Sequence, residues 1–140
     1  MNNLYLDANI FIYLSDKFSI YHKDCNSFIN YCQNHNILIS TSCETIQEII
    51  HYAKNTKQLP TGLLVAKNVL ELVDIIYSIN RITVEIYLEQ AEIYIGSTSR
   101  DLLHLSVCIE NKLDKIITYD SDFNAFKGIK ALKPQAFSVG

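Results

Sequence analysis

The feature that most constrains the fold is a short apolar run near the start of the chain that ends in an aspartate. Leu4-Tyr5-Leu6 leads directly into Asp7, and a second apolar run follows. An uninterrupted apolar run of this length predicts a strand that is buried on both faces, as in a parallel sheet. Asp7 then lies at the carboxyl end of that strand, where open α/β sheets bind their ligands. Because a buried charge is costly unless it is paired or binds a cation, Asp7 is a candidate site residue.

Helical and strand-like segments alternate along the rest of the 140-residue chain. The apolar spacing predicts helices over about 10–14, 21–35, 41–53, 62–72, 82–95 and 100–111, and strands over 37–39, 73–79, 115–119 and 129–132. Thr41 and Glu44 have the spacing of a capping box, which predicts that Thr41 caps the third helix. The alternation is typical of an α/β domain with a mostly parallel sheet. The length favours a single domain over residues 1–140.

Composition favours an ordinary globular protein that does not rely on bulk charge. Hydrophobic residues make up 49% of the chain, which is enough apolar material for a real core. The net charge of −3 argues against a protein that binds nucleic acid through overall charge alone. No signal peptide or membrane span is recognisable, so we expect a cytoplasmic protein. Without a C-x-x-C pair, the four cysteines are expected to be free, buried thiols: Cys25, Cys32, Cys43 and Cys108.

Further acidic residues are expected at the same edge of the sheet as Asp7. Asp120 and Asp122 follow a predicted strand, and the carboxyl ends of parallel strands open onto one edge. Asp101 lies in the first turn of a predicted helix at the rim of its apolar face, a position that the helix dipole alone also favours. Glu48 is a weaker candidate, because the helical wheel turns it away from the apolar face.

Several carboxylates in a small volume raise one another's pKa values unless a cation joins them. Mg²⁺ or Mn²⁺ meets this need, because both ions prefer oxygen ligands and keep several waters. Such a site polarises a phosphoryl oxygen and lowers the pKa of bound water, which suits phosphodiester hydrolysis. Without the metal the acids should repel one another. We therefore expect Asp7→Asn to leave the metal-free fold at least as stable as the native sequence.

Three blocks of sequence share their order and spacing with the motifs of one known family. Leu4 to Asn9 is an opening strand with an aspartate and a small polar residue two positions later. Ser99 to Leu105 reads S-x-D-x-x-H followed by an apolar residue. Lys115 to Phe123 is a strand followed by T-x-D-x-D-F. Together these blocks resemble the PIN-domain ribonucleases, in particular the VapC-like toxins of type II toxin–antitoxin pairs. The resemblance implies a three-layer α/β/α sandwich.

The resemblance also implies a function and a set of site residues. It implies a Mg²⁺- or Mn²⁺-dependent endoribonuclease that leaves a 3′-hydroxyl and a 5′-phosphate, a protein antitoxin as partner, and a homodimer. The family's second acid lies six residues after a serine on the third helix, a spacing that Ser42 and Glu48 share. The implied catalytic acids are Asp7, Glu48, Asp101 and Asp120, with Asp7, Asp101, Asp120 and Asp122 at the metal. Asn9 and Thr118 would orient waters or carboxylates.

Other interpretations compete with this one. An aspartate-dependent phosphohydrolase also begins with a strand and an aspartate, but it needs a second aspartate where Asn9 stands. A catalytically inactive PIN fold would serve as a binding or regulatory module. Asp101, His104 and Cys108 have the spacing of zinc ligands, yet no fourth ligand is evident, and the resemblance makes His104 a packing residue. Arg100 and the five lysines between 112 and 133 either contact the RNA backbone or form a solvated face.

Overall fold

The sheet that the sequence predicts is present and is parallel. The structure, a computed structural model, describes residues 2–137. The strands lie in the order β3-β2-β1-β4-β5, and every neighbouring pair is parallel. They are β1 (Asn3–Leu6), β2 (Leu38–Ser42), β3 (Ile75–Tyr77), β4 (Lys115–Ile117) and β5 (Lys130–Leu132). Because β1 is central, its carboxyl end lies in the middle of one sheet edge.

Helices cover both faces of this sheet. They are α1 (Ala8–Ser15), α2 (His22–Asn34), α3 (Cys43–Asn55), α4 (Leu59–Leu72), α5 (Arg81–Ile93) and α6 (Ser99–Glu110). In β1, Leu4 and Leu6 enter a core that they share with side chains of α1 to α4, whereas Tyr5 enters a second core with side chains of α6. This alternation follows from the two-residue repeat of a strand. The three-layer α/β/α sandwich is therefore confirmed.

The fourth helix begins earlier than the sequence predicts. Residues 54–61 were expected to form a loop, but α4 starts at Leu59 and has Pro60 in its first turn, where a missing N–H is tolerated. Gly62 then faces α3, and a Cβ at this position would lie 2.2 Å from the Cβ of Ala53. Glycine lets the two helices approach closely, which explains why α4 includes it despite its low helix propensity.

The capping-box prediction at Thr41 is wrong. β2 continues to Ser42, and Ser42 is the N-cap residue of α3 without a side-chain capping bond. The Thr41 hydroxyl instead donates to the backbone oxygen of Leu6 at 2.9 Å. Thr41 is fully buried, so its hydroxyl must find a partner, and the neighbouring strand supplies one.

Smaller differences concern the strand ends and one cysteine. β3 covers only the centre of the predicted 73–79 segment, and β4 ends at Ile117, so Thr118 and Asp120 lie in the connection that follows the strand. The predicted edge strand is present as β5. The cysteines are free and three are buried, but Cys43 is exposed. None of the helices in residues 2–137 combines the length and apolarity that a membrane crossing requires.

Candidate active site

Acidic side chains from four parts of the chain meet in one open cleft, of about 510 Å³, at the carboxyl edge of the sheet. The acids that line it are Asp7, Glu48, Asp101, Asp120 and Asp122. Two groups of ligand atoms, each within 4.8 Å of one another, can be distinguished here. The inner group is Asp7, Glu48 and His104, and the outer group is Asp101, Asp120 and Asp122. The strand-end acids therefore do converge, together with one acid from α3 and one from α6.

Asp7 is held by hydrogen bonds on both carboxylate oxygens. It is the N-cap residue of α1, and its Oδ1 accepts from the backbone N–H of Ala8 at 2.7 Å. Its Oδ2 accepts from the hydroxyl of Thr118 at 2.7 Å and from the side-chain amide of Asn9 at 3.1 Å. Burial raises the pKa of Asp7 above its ordinary value, while the charge of His104 and the bond from Thr118 oppose this shift. The carboxylate is thus desolvated but well supplied with donors.

Glu48 points into the protein and not into solvent, contrary to the helical-wheel prediction. Its carboxylate Oε1 lies 2.9 Å from Nε2 of His104, and its side chain is 15% exposed. The same Nε2 lies 3.6 Å from Oδ1 of Asp7, so the imidazole joins the two acids of the inner group. Burial alone would lower the pKa of His104, but the bond with Glu48 and the charge of Asp7 raise it on balance. His104 is therefore more than a packing residue.

The outer group is organised by helix starts. Asp101 lies in the first turn of α6, where its backbone N–H donates to the hydroxyl of Thr98, the N-cap residue. Asp120 caps the 3₁₀ turn Ser121–Ala125, and its Oδ1 accepts from the backbone N–H of Asp122 at 2.9 Å. Burial, together with the charge of Asp120, raises the pKa of Asp101 to about 6. The two carboxylates therefore repel each other across this group.

Thr118 and Asn9 connect the two groups. The Thr118 hydroxyl donates to Asp7 and accepts from the backbone N–H of Asp120 at 2.9 Å. The Asn9 amide also reaches Thr118, at 3.3 Å, and its oxygen accepts from the backbone N–H of Tyr119 at 3.4 Å. Both residues lie against carboxylates, and neither is exposed.

The outer group fits a hard divalent cation. It offers three carboxylates with oxygen atoms within reach of one ion, which is the donor chemistry that Mg²⁺ and Mn²⁺ prefer. The ion pairs formed within residues 2–137 do not involve these three acids. In the inner group, by contrast, the one nitrogen that faces the acids is already hydrogen-bonded to Glu48. Asp101, Asp120 and Asp122 are therefore the residues best placed to hold a metal, with Asp7 beside them.

Positive charge at the cleft is sparse. Among the described residues that line it, Arg100 is the only cationic side chain. Lys115 and Lys130 are the first residues of β4 and β5 and are paired in register, so they lie at the amino edge of the sheet, opposite the acids. Lys112 lies three residues before the start of β4. Three of the five lysines between 112 and 133 thus lie away from the cleft.

Comparisons with known proteins agree with this geometry. The family model described as the PIN domain matches residues 4–129. This chain belongs to the PIN domain family. This chain is 24% identical over 127 residues to the VapC ribonuclease Mb1869c of Mycobacterium bovis and to ribonuclease VapC13 of Mycobacterium tuberculosis. Each alignment covers 91% of this chain and 97% of the relative.

Solved structures share the fold of this PIN domain. VapBC2 from Rickettsia felis, bound to a DNA fragment from its promoter, aligns with a TM-score of 0.73 and 15% identity over 94% of this chain and 98% of the other. VapC20 from Mycobacterium tuberculosis, a toxin that cleaves the sarcin–ricin loop, aligns with a TM-score of 0.70 and 13% identity over 87% and 93%. At these identities the likeness concerns the fold.

Sequence reasoning missed the role of three residues of this PIN domain that lie behind the acids. Tyr5, Ser42 and His104 are fully buried, and the Tyr5 hydroxyl lies within hydrogen-bonding distance of both Ser42 and His104. One signal was available for Tyr5: a tyrosine in a strand buried on both faces needs a partner for its hydroxyl. A second was the Ser42–Glu48 spacing, because the N-cap residue of α3 bonds to Tyr5 and Glu48 on the same helix bonds to His104.

Proposed function

We propose that this PIN domain is a metal-dependent endoribonuclease and the toxin of a toxin–antitoxin pair. The observation that carries the proposal is the meeting of Asp101, Asp120 and Asp122 in an open cleft beside Asp7 and Glu48. A cluster of hard oxygen donors at a solvent-open cleft suits a divalent cation and a large phosphodiester substrate. The names of its relatives, VapC ribonucleases of two mycobacteria, point to the same activity.

Each acid has a distinct part in this proposal. Asp101, Asp120 and Asp122 hold Mg²⁺ or Mn²⁺, and Asp7 lies beside them as a further acid of the cleft. When bound, the cation supplies Lewis acidity towards the scissile phosphate and lowers the pKa of a coordinated water. Glu48 keeps one carboxylate oxygen on His104, which leaves the other oxygen to orient the attacking water and to accept its proton. The bond from Thr118 opposes the rise in the pKa of Asp7, and Thr118 and Asn9 together fix the orientation of its carboxylate.

Arg100 is the residue that we assign to the RNA backbone. It lines the cleft next to Asp101 and carries a permanent charge, so it binds a phosphate oxygen and offsets part of the acidic field. Cleavage leaves a 3′-hydroxyl on one fragment and a 5′-phosphate on the other. Electrostatic guidance by the whole protein is weak, because its net charge is −3.

We also propose that the protein acts as a single domain, forms a homodimer and binds a protein antitoxin. Solved relatives are described as VapBC assemblies, which motivates the antitoxin. Several large apolar side chains of α4 and α5 are exposed and offer surface for such contacts: Leu63, Leu64, Leu70, Ile82, Leu88 and Ile93. Light scattering of the purified protein, alone and co-expressed with the product of the neighbouring gene, tests both contacts.

The activity is tested with the purified protein and a structured RNA in the presence of Mn²⁺, Mg²⁺ or EDTA. We expect cleavage with either metal and none with EDTA, and sequencing of the fragments should find 5′-phosphate ends. Asp101→Asn should reduce the rate by more than about a thousandfold, because it removes a charged ligand of the metal. Asp114→Asn is the matched control, since Asp114 is exposed and pairs with Lys115.

Two results would decide against this function. Cleavage that persists in EDTA would point to a contaminating or metal-independent nuclease. No cleavage of any RNA with either metal, together with no increase in melting temperature when Mn²⁺ is added, would instead favour an inactive PIN fold that serves as a binding module.

A further inference from the structure

A continuous hydrogen-bonded row of side chains runs behind the inner group. Ser42, at the start of α3, lies 2.7 Å from the hydroxyl of Tyr5 in β1. The same hydroxyl lies 2.5 Å from Nδ1 of His104 in α6, whose Nε2 lies 2.9 Å from Glu48 in α3. The row therefore starts at the N-cap residue of α3, passes through the central strand and α6, and ends on α3. Nothing in the proposed chemistry yet accounts for its first two members.

The direction of the last hydrogen bond follows from the chemistry of its acceptor. A carboxylate only accepts, so Nε2 of His104 must carry a proton and donate to Glu48. In a neutral imidazole Nδ1 is then an acceptor, so the Tyr5 hydroxyl donates to it and the Tyr5 oxygen accepts from the hydroxyl of Ser42. In an imidazolium, which the neighbouring acids favour, Nδ1 donates to the Tyr5 oxygen and the Tyr5 hydroxyl donates to Ser42. In both forms Nε2 donates to Glu48.

Burial makes this arrangement stiff. Ser42, Tyr5 and His104 have no exposed surface, so water cannot replace a lost bond. The imidazole also packs edge-on against Tyr5, with ring centroids 5.5 Å apart, which restricts rotation of the ring. A histidine held at one nitrogen presents the other nitrogen in a fixed direction. Here that direction is towards Glu48 and Asp7.

We propose that His104 is a positioning residue, oriented by Tyr5 and Ser42, which fixes the carboxylates of Glu48 and Asp7 at the spacing needed beside the metal. The proposal rests on the proposed nuclease function. It assigns a purpose to the Ser42–Glu48 spacing. The serine lies at one end of the hydrogen-bonded row Ser42–Tyr5–His104–Glu48, which we call the relay, and the glutamate lies at the other end. Outer hydrogen-bond partners of this kind typically change metal affinity or activity ten- to a hundredfold.

The tautomer of His104 tests the arrangement without any activity. ¹⁵N NMR of the imidazole nitrogens in the metal-free protein should show a protonated Nε2, and the missing signals in His104→Gln assign the residue among the four histidines. A neutral ring with its proton on Nδ1 would overturn the proposal, because Nε2 would then have nothing to donate to Glu48. This measurement stands even if the protein cleaves no RNA.

Tyr5→Phe tests the function of the relay. It removes one buried hydroxyl that touches neither Glu48 nor Asp7. We expect about a tenfold loss in Mn²⁺ affinity by calorimetry and in kcat, with little change in KM for RNA. Tyr94→Phe is the matched control, because it also removes one tyrosine hydroxyl, whose hydrogen bond is with the backbone N–H of Lys127 and not with His104 or an acid of the cleft. Its Mn²⁺ affinity and kcat should match the native protein.

A purely structural role for Tyr5 predicts a different pattern. Tyr5→Phe would then lower the melting temperature but leave Mn²⁺ affinity and kcat of the folded protein unchanged, and this result would refute the proposal. If Tyr5→Phe fails to fold, Ser42→Ala replaces it, because Ser42 makes no capping bond in α3. Ser42→Ala should weaken Mn²⁺ binding in the same direction by a smaller factor, and unchanged binding would contradict the relay. Native protein that neither binds Mn²⁺ nor cleaves RNA would refute the nuclease function instead.

Discussion

The inner and outer groups of acids lie side by side but solve the problem of buried negative charge differently. In the inner group, Asp7 accepts three hydrogen bonds and Glu48 is bonded to His104. In the outer group, Asp101 and Asp120 lie close together and form no ion pair with any residue in 2–137, and burial with the neighbouring charge raises the pKa of Asp101 to about 6. The inner acids have hydrogen-bond donors within the protein, although burial still raises the pKa of Asp7. The outer acids gain more from a cation supplied by the solution.

This difference separates positioning from binding. A carboxylate that is already bonded by fixed donors gains little from a cation, but it keeps its orientation when the cation is absent. A carboxylate that repels its neighbours gains much from a cation, because the ion removes the repulsion. We therefore expect substitutions in the outer group to act mainly on metal binding, and substitutions in the inner group to act on stability and orientation.

The largest expected effect is on Mn²⁺ affinity. Asp101→Asn should weaken Mn²⁺ binding by more than about a hundredfold, which exceeds the effect typical of residues that do not contact the metal. Glu48→Gln should weaken it by roughly tenfold. Isothermal titration calorimetry of both variants measures this directly. Equal losses in the two variants would mean that the metal contacts both groups alike, so that the outer group is not the main metal site.

The metal-free stabilities of two asparagine variants should change in opposite directions. Asp101→Asn removes a repelled charge and should raise the free energy of unfolding by about 1 to 2 kcal/mol. Asp7→Asn replaces one of the two acceptor oxygens by an NH2 donor, so the bond from Ala8 or the bonds from Thr118 and Asn9 lose their acceptor, and the free energy of unfolding should fall by about 1 to 2 kcal/mol. From the sequence we expected that Asp7→Asn would not destabilise the metal-free fold. From the structure we expect stabilisation in Asp101→Asn instead.

Urea denaturation in EDTA at neutral pH measures both free energies. Stabilisation of both variants would restore the original expectation that Asp7 is chiefly a repelled charge. Destabilisation of both would mean that Asp101 also depends on hydrogen bonds that the substitution breaks.

The pH dependence of stability provides a further test of the outer group. The pKa of Asp101 is raised to about 6 in the fold, above its ordinary value near 4, so the folded protein binds this proton more tightly than the unfolded chain. The contribution of Asp101 to stability is therefore full below pH 4 and is lost as the pH rises through 6. Between pH 5 and 7 the metal-free native protein should lose stability relative to Asp101→Asn.

The difference between these two proteins isolates Asp101 from other titrating groups such as His104 and Glu44. Saturating Mn²⁺ should reverse the slope for the native protein, because protons compete with the ion for the carboxylate. A pH-independent difference would show that Asp101 is ionised throughout this range.

Much of this fold and site could be predicted because the positions of the key acids follow from short-range sequence patterns. The strand-end positions of Asp7, Asp120 and Asp122 follow from apolar runs and from the geometry of parallel strands, and the structure brings these acids together. Glu48 could not be placed by its helical wheel, since the wheel assigns a face to a helix but does not show what that face meets. Here it meets His104, which lies 56 residues later in the chain.

The errors have the same origin. Thr41 fits a capping box locally, but a carbonyl of β1 takes its hydroxyl once the strands are paired. Gly62 looked like the start of α4, yet it lies inside the helix because Ala53 of α3 leaves no room for a side chain. In each case a contact between different elements overrode a sound local preference, and only the three-dimensional arrangement contains that contact.

The smallest expected effect concerns the hydroxyl that joins the two groups. Thr118 donates to Asp7 and accepts from the backbone N–H of Asp120, so its hydroxyl bonds to both groups. Thr118→Val keeps the shape but removes this link, and should lower the free energy of unfolding by about 1 kcal/mol. Thr118→Ser retains the hydroxyl and should stay closer to the native value. If Val and Ser behave alike in urea denaturation and in Mn²⁺ titration, the two groups are independent, and a variant of one should not alter the metal response of the other.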